Sequence, residues 1–462
     1  MPRAAMVKVP PCVCGVALSL LLSATARKST AQVPLAKSPS DSLIRVGKDR
    51  SLSIDLGTFP TVEPYLAADP SNAAHLVAGV AVITKPDVSE RSCAALTSFD
   101  GGRTWTRHDF PAKECLDPWV VIRPDGSAVL ALISRSELLV FRSSDGGTTW
   151  SDRPISFGEH HDHGTLAIDT TRGSFGGSVY VVSQQIVRDT GDLERFAAFV
   201  ARSTDAGATF GEPTRVIVNN LQMNPMNPAV LSDGTLMVPL SDYGRTTPGG
   251  DFAWLARGRD WVITSADGAR TFSLPLFVTE ACGRSFPELA VDASEGYRDR
   301  LYSVCNDSSF AHVYLHISSD RGERWSAPVA VNRGSGPSPY VRTAAIAVNR
   351  DGIVGISWYD ARNDRDESKG KYRCQEIFFT ASVDGGRTFL PEVKVSSAKN
   401  CPNTAANGQV AERWPAGGDY HGLAAAANGQ FHLVWADSRD GIYKLRTATV
   451  ALRPKANRGQ KP

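Results

Sequence analysis

Two groups of residues have types and spacing that could do chemistry. The run Glu159-His160-His161-Asp162-His163 brings three imidazoles together between carboxyl groups. Further along, Arg284, Glu288, Tyr340 and Arg342 supply two guanidiniums, a carboxyl and a phenol. Arg91, Arg362 and Tyr420 add cations and a phenol of the same kinds. A guanidinium fork binds a planar carboxylate through two parallel hydrogen bonds, whereas His, Tyr and carboxyl groups move protons. Together these types suit a sugar that carries a carboxylate. Arg284, Glu288, Tyr340 and Arg342 are therefore the candidate catalytic set, and His160, His161, His163, Arg91, Arg362 and Tyr420 the candidate substrate contacts. No HExxH, no GxSxG and no glycine loop ending in Lys is present. Three close histidines on a loop are a weak metal signal, and the acidic stretch Asp360, Asp364, Asp366 and Glu367 lacks EF-hand spacing and reads as an exposed insertion. The expectation is no metal and no cofactor.

These residues need a scaffold, and composition narrows its class. The chain has 462 residues, 40 Gly, 28 Pro, and a formal charge of +2. So many turn formers, with few helical stretches, point to short strands and frequent turns. Near-neutral charge without a Lys/Arg stripe argues against a nucleic-acid partner. At the N-terminus, Arg3 and Lys8 precede an apolar run densest from Gly15 to Leu22, then Ala24-Thr25-Ala26 and Ser29-Thr30-Ala31. This reads as a secretory signal over 1–31, cut after Ala26 or Ala31. No second run is long enough to span a bilayer. The expected mature protein is exported (secreted or periplasmic), soluble and monomeric. Residues 32–452 would form the fold, and 453–462 a disordered basic tail.

An octapeptide fixes the architecture. It occurs at Ser98–Trp105, Ser143–Trp150, Ser203–Phe210, Ser265–Phe272, Ser318–Trp325 and Ser382–Phe389, in the pattern Ser-x-Asp-x-Gly-x-Thr-Trp/Phe. Ala269 replaces the glycine in the fourth copy and Arg324 the threonine in the fifth. The aspartates Asp100, Asp145, Asp205, Asp267, Asp320 and Asp384 are 45, 60, 62, 53 and 64 residues apart, which suits four-stranded propeller blades. Each copy lies between β-rich runs, so it reads as a hairpin turn. Its aspartate accepts backbone N–H groups, its glycine permits positive φ, and its aromatic packs beneath. The expected role of the six aspartates is structural.

The octapeptide resembles the Asp-box, or BNR repeat, of the sialidase-like propellers, over nearly the whole mature chain. A second repeat gives the blade number. It runs from an inner strand through a turn to an apolar strand, and opens at Pro64, Pro118, Gly164, Pro228, Pro287, Arg342 and Gly422. The expected fold is an all-β, seven-bladed propeller with Asp-box hairpins, a six-bladed ring being the alternative. The last copy has one further strand and no octapeptide, so the stretch from Leu43 to Leu56 should complete that blade and close the ring.

With strands A to D counted outward from the axis, the octapeptides join C to D on one face. The resemblance places a substrate pocket on the opposite face, where residues precede an A strand or follow a B strand. Glu63, Asp117, the His160–His163 run, Arg284, Glu288, Tyr340, Arg342, Asp419 and Tyr420 fall there. It further implies three arginines on a sugar carboxylate, a tyrosine nucleophile activated by a glutamate, and an aspartate as acid/base. The Arg-Ile-Pro motif of that family is absent. Trp-x-Asp-x-Arg occurs twice, at Trp358–Arg362 and Trp435–Arg439, and reads as a strand-end turn. Three functions remain open, with a carbohydrate or glycoconjugate as the expected partner: a sialidase-like glycoside hydrolase for acidic sugars, a non-catalytic glycan- or protein-binding propeller, and a polysaccharide lyase. Six cysteines follow the leader, an even number in an exported chain. Their positions around blade edges select Cys93–Cys115, Cys282–Cys305 and Cys374–Cys401.

Overall fold

A computed structural model describes residues 43–452, apart from 53–58, 86, 189–193, 219–223, 247–251, 283–285, 334–338, 403–404 and 406. The expected leader and basic tail lie outside the described residues.

Seven antiparallel sheets follow one another along the chain as the blades of a propeller. Blade 1 is Thr61–Ala68, Leu76–Ile83, Arg91–Ser98 and Thr106–Asp109. The first strands of blades 2 and 3 are Cys115–Ile122 and His161–Ile168. In blade 4 the first position is split into Asn224–Pro225 and Ala229–Val230. Blades 5, 6 and 7 begin with Glu288–Val291, Val341–Val348 and Gly422–Ala425. The second strand of blade 1 reads as an unbroken apolar run, Leu-Val-Ala-Gly-Val-Ala-Val-Ile over Leu76–Ile83, buried at every residue. A blade has a neighbour on both faces, so both sides of such a strand must be apolar. Gly79 marks how close the blades come: a Cβ there would lie 2.3 Å from the Pro118 carbonyl oxygen.

The ring closes as the sequence implies. Ile44–Val46 pairs with Lys444–Leu452, placing Ile44 opposite Leu452 and Val46 opposite Val450. Arg50–Ser51 extends the pairing to Thr447 and Arg446. Asp49 locks this seam, its buried carboxylate meeting Arg439 at 2.9 Å and Arg446 at 2.5 Å.

Each octapeptide joins the third and fourth strands of its blade as a self-satisfied turn. In the third copy Asp205 accepts the Thr209 amide at 2.8 Å and its hydroxyl at 2.6 Å. These bonds hold its carboxyl down to about 2. The Ser203 hydroxyl donates to Asp205 and accepts the Gly207 amide. The fourth copy keeps the geometry with Ala269 at φ 70°. In the fifth, the Arg324 guanidinium takes the place of the threonine hydroxyl at Asp320, at 2.7 Å. The turns also clasp the preceding blade. Gly146 and Gly147 carbonyls accept from His75 and Thr97, and Ala206 from Arg142. The three disulfides form as expected, Cys93–Cys115, Cys282–Cys305 and Cys374–Cys401.

Candidate functional site

Four first strands carry the same irregularity at the end remote from the octapeptides. The register slips between Val62 and Tyr65, Leu116 and Trp119, Asp162 and Thr165, and Arg342 and Ala345. Inside each slip one non-glycine residue has positive φ: Glu63 at 53°, Asp117 at 52°, His163 at 55° and Thr343 at 43°. Such backbone costs on the order of 1–3 kcal/mol per residue and persists where the surroundings enforce it. A bulge re-aims its side chain. Here Glu63 reaches the backbone of Asp117, and Asp117 lies beside His163.

Contacts run across the ring as well as around it. The Tyr420 hydroxyl, from the approach to blade 7, donates to Asp117 Oδ1 of blade 2 at 3.4 Å. His163 Nδ1 of blade 3 lies 3.9 Å from the same oxygen. Its ring stacks on Phe286, at the approach to blade 5, with centroids 4.5 Å apart, and meets Tyr420 edge-on at 6.2 Å. Tyr65 and Trp119 stack at 3.5 Å, and Tyr420 closes on Trp119 at 5.5 Å. Glu63, Asp117, His163 and Tyr420 are buried, Asp419 is partly buried, and Asp162 is exposed.

Burial and mutual repulsion tune the acids. Burial, then Asp117 and Asp419, push Glu63 well above the usual carboxylate range. Asp117 rises to about 6, chiefly by burial, with His163 pulling it down and Asp162 and Asp419 pushing it up. Asp419 is raised by burial against the pull of His163, Arg342 and Arg413. Burial and these carboxylates hold the Tyr420 phenol far above its ordinary value. Three guanidiniums ring the acids. Arg91 is depressed by burial and by Arg413, and feels Glu63 and Asp117. Arg413 ends the short helix Gly408–Arg413 and covers Trp414 at 4.3 Å. Arg342 donates to the Tyr340 hydroxyl at 2.8 Å.

The residues singled out in the sequence divide. His163, Tyr420, Arg91 and Arg342 belong to this cluster, with Tyr340 attached through Arg342. Glu288 adjoins it: it accepts the Ile346 amide at 3.1 Å, is lifted by burial to about 8, and its charge acts on Tyr65. His161 turns into blade 3 instead, between Ser183 and Gln185, and His160 is exposed beside the strand. Arg362 is occupied by Asp360, Glu392 and the face of Phe378. That arrangement, matched by Trp435, Asp437 and Arg439 in blade 7, makes Trp-x-Asp-x-Arg a strand-end lock. The acidic stretch is exposed only in part: Asp366 and Glu367 face solvent, whereas Asp360 and Asp364 are buried, Asp364 pairing with Lys369 and the Cys374 amide. Arg284 lies outside the described residues. Glu63, Asp117, Asp419 and Arg413 complete the cluster, and all four lie outside the candidate set that the sequence singles out. One signal was available for two of the acids: Glu63 and Asp117, like His163, directly precede the Pro or Gly that opens the second repeat.

No family model matches the chain. Over 283 residues it is 26% identical to a xyloglucanase of Paenibacillus sp., a match spanning 56% of this chain and 26% of the relative. The chain thus covers about a quarter of that relative's length. Solved structures similar to it include a GH93 alpha-L-arabinofuranosidase of Fusarium graminearum in complex with arabinobiose. The TM-score is 0.44 at 14% identity, over 73% of this chain and 93% of that one. A Trypanosoma rangeli sialidase in complex with sialic acid gives 0.42 at 14% identity, over 74% and 55%. No helix among the described residues is long and apolar enough to cross a membrane.

Proposed function

We propose that the chain is an exported glycan-acting enzyme, a glycoside hydrolase that holds an acidic sugar at the channel mouth. The observation that carries this reading is the hydrogen bond from Tyr420 to Asp117 across the ring, beside Arg91, Arg342 and Arg413. The guanidiniums take the sugar carboxylate. The Tyr420 oxygen attacks the anomeric carbon as Asp117 accepts its proton, and Asp419 protonates the departing oxygen. Water then attacks the anomeric carbon and gives a proton to Asp419, while the tyrosyl oxygen leaves and takes back the proton held by Asp117, restoring both acids and the phenol. Glu63 keeps Asp117 in place. The xyloglucanase relative supports glycan hydrolysis as the class of reaction.

Tyr420→Phe and Asp419→Asn should each lower kcat at least a hundredfold on a responsive glycoside, with melting temperature retained. A panel of chromogenic glycosides, sialosides included, together with uronate polysaccharides finds that substrate. Wild-type protein that binds a glycan and turns over none would make the propeller a binding module. The set His163, Tyr420 and Arg342 also suits β-elimination from a uronate, and an unsaturated, ultraviolet-absorbing product would assign the lyase reaction instead.

A further inference from the structure

We infer that Asp117, Asp162 and His163 form a binding site for one divalent transition-metal ion of the Mn2+ or Zn2+ type, at the channel mouth. The inference shares a site with the hydrolase reading and stands on separate observations. One oxygen of each aspartate and one ring nitrogen of His163 lie within 4.8 Å of one another. An ion with bonds of about 2.1 Å needs ligand atoms about 3–4 Å apart, so small rotations of these side chains close the set.

The second observation is the imidazole itself. His163 is buried, yet its Nε2 has no hydrogen-bond partner, and its Nδ1 stands 3.9 Å from Asp117, too far for a hydrogen bond. A buried imidazole left this way loses its hydration without compensation. Stacking on Phe286 and the strained backbone at φ 55° fix the ring where it is. Its neighbours are acids: Asp117, Asp162 and Asp419 crowd together, and Glu63 adjoins Asp117. A divalent ion bound at the ring nitrogen that faces Asp117 would give the imidazole a partner and neutralise the crowded carboxylates.

Ligand chemistry selects the metal. Two carboxylate oxygens with a neutral imidazole suit Mn2+ or Zn2+, whereas Ca2+ takes oxygen alone. Three protein ligands leave coordination positions open to water or to a sugar oxygen. Asp162, exposed at the rim, gives an ion a way in.

The test is calorimetric titration of chelator-treated full-length mature protein with MnCl2, ZnCl2 and CaCl2, with metal analysis after dialysis. One equivalent of Mn2+ or Zn2+ should bind, at least tenfold more tightly than Ca2+. Asp162→Asn and His163→Ala should each weaken binding at least tenfold, and Asp162→Asn, on the surface, should keep the wild-type melting temperature. Absence of binding, equal affinity for Ca2+, or unchanged affinity in Asp162→Asn would each overturn the inference. Glycoside turnover by the chelated protein is scored separately, so a failed metal site leaves the hydrolase reading standing, and the reverse.

Discussion

Glu63 Oε2 accepts the backbone N–H of Asp117 at 3.4 Å. The acid of one strained bulge thereby fastens the backbone of the next, and two blades become one rigid corner of the channel mouth. Glu63 is tied in turn to blade 7, since its own amide donates to the Gly417 carbonyl at 2.9 Å. Gly418, at φ 143°, makes that approach feasible: a Cβ there would lie 2.7 Å from the Glu63 nitrogen. The acids are thus held by backbone geometry from three parts of the chain, which fits a site organised before ligand arrives.

Asp145→Ala tests whether the octapeptides serve as scaffold. Asp145 accepts from the Thr149 amide and hydroxyl and from Ser143, at 2.7–2.9 Å. Removing it frees turn donors and loosens the clasp that Gly146 gives to His75. Denaturant unfolding should show a loss of about 1–3 kcal/mol, with glycan turnover or binding unchanged below the transition. A variant that melts like wild type and has lost function would contradict the structural role.

The closing seam should be among the costliest places to damage. The Asp49 side chain is about 1% exposed and serves Arg439, Arg446 and the Ser397 amide. Asp49→Asn breaks a buried charge network on one side only, which costs roughly 3–5 kcal/mol. Thermal melts should show a large drop, and limited proteolysis should cut first near the N-terminal strand. An unchanged melting temperature would mean the seam is held by strand pairing alone.

Architecture was legible because it repeats. Six octapeptides and seven inner-strand repeats each impose one turn or one pair of strands, and the missing seventh octapeptide, with the fourth strand it would introduce, points to closure by the N-terminus. The disulfides followed from the same topology. The site was legible only in part, because its selection depends on local backbone. Nothing in a histidine run says which ring a bulge turns to the axis, so His161 and His160 looked equal to His163. The pairing of Arg362 with Asp360 is legible in the Trp-x-Asp-x-Arg turn, but its second partner, Glu392, is thirty residues away in sequence. Glu63 and Asp117 looked like ordinary acids before a proline, and only the register slips show that they converge.

His432 should make the fold sensitive to acid. It is the second residue of its blade's second strand, the position held by Val77, Val129, Tyr180, Met237, Tyr302 and Gly355 elsewhere. Neither ring nitrogen has a hydrogen-bond partner, and burial draws it from 6.5 down to about 4. The unfolded chain therefore takes up a proton below pH ~6.5 that the folded protein refuses until about pH 4, and stability falls as pH falls through that window. His432→Met should raise the melting temperature relative to wild type at pH 4.5 and change it less at pH 8. Parallel curves for the two proteins would exclude His432 as the cause.

Glu288 works in the opposite sense. Its carboxyl is lifted from 4.5 to about 8 by burial. The folded protein keeps a proton that the unfolded chain releases, so this contribution is whole below pH ~4.5 and is lost as pH rises towards 8, by up to about 1.4 kcal/mol per unit. Glu288→Gln carries no such proton. The variant should gain stability relative to wild type as pH rises from 5 to 8, measured by thermal melts. A constant difference across that range would show that Glu288 is ionised in the fold.

The last prediction separates acidic from neutral substrates. Arg342 is partly buried, bonded to Tyr340, placed 4.9 Å over the ring of Phe310, and close enough to Asp419 to lower its pKa. It is thus oriented before a ligand arrives, the condition under which a guanidinium binds a carboxylate strongly. If the substrate carries a carboxylate, Arg342→Ala removes a contact made in ground state and transition state alike. KM should then rise at least tenfold with kcat changed much less, and Arg342→Lys should restore part of the loss as a point charge without the fork. A matched glycoside without the carboxylate should show no such change. If Arg342→Ala lowers turnover of acidic and neutral glycosides equally, the guanidinium serves Asp419 and Tyr340 instead of the sugar, and the clamp assigned to the acidic substrate is wrong.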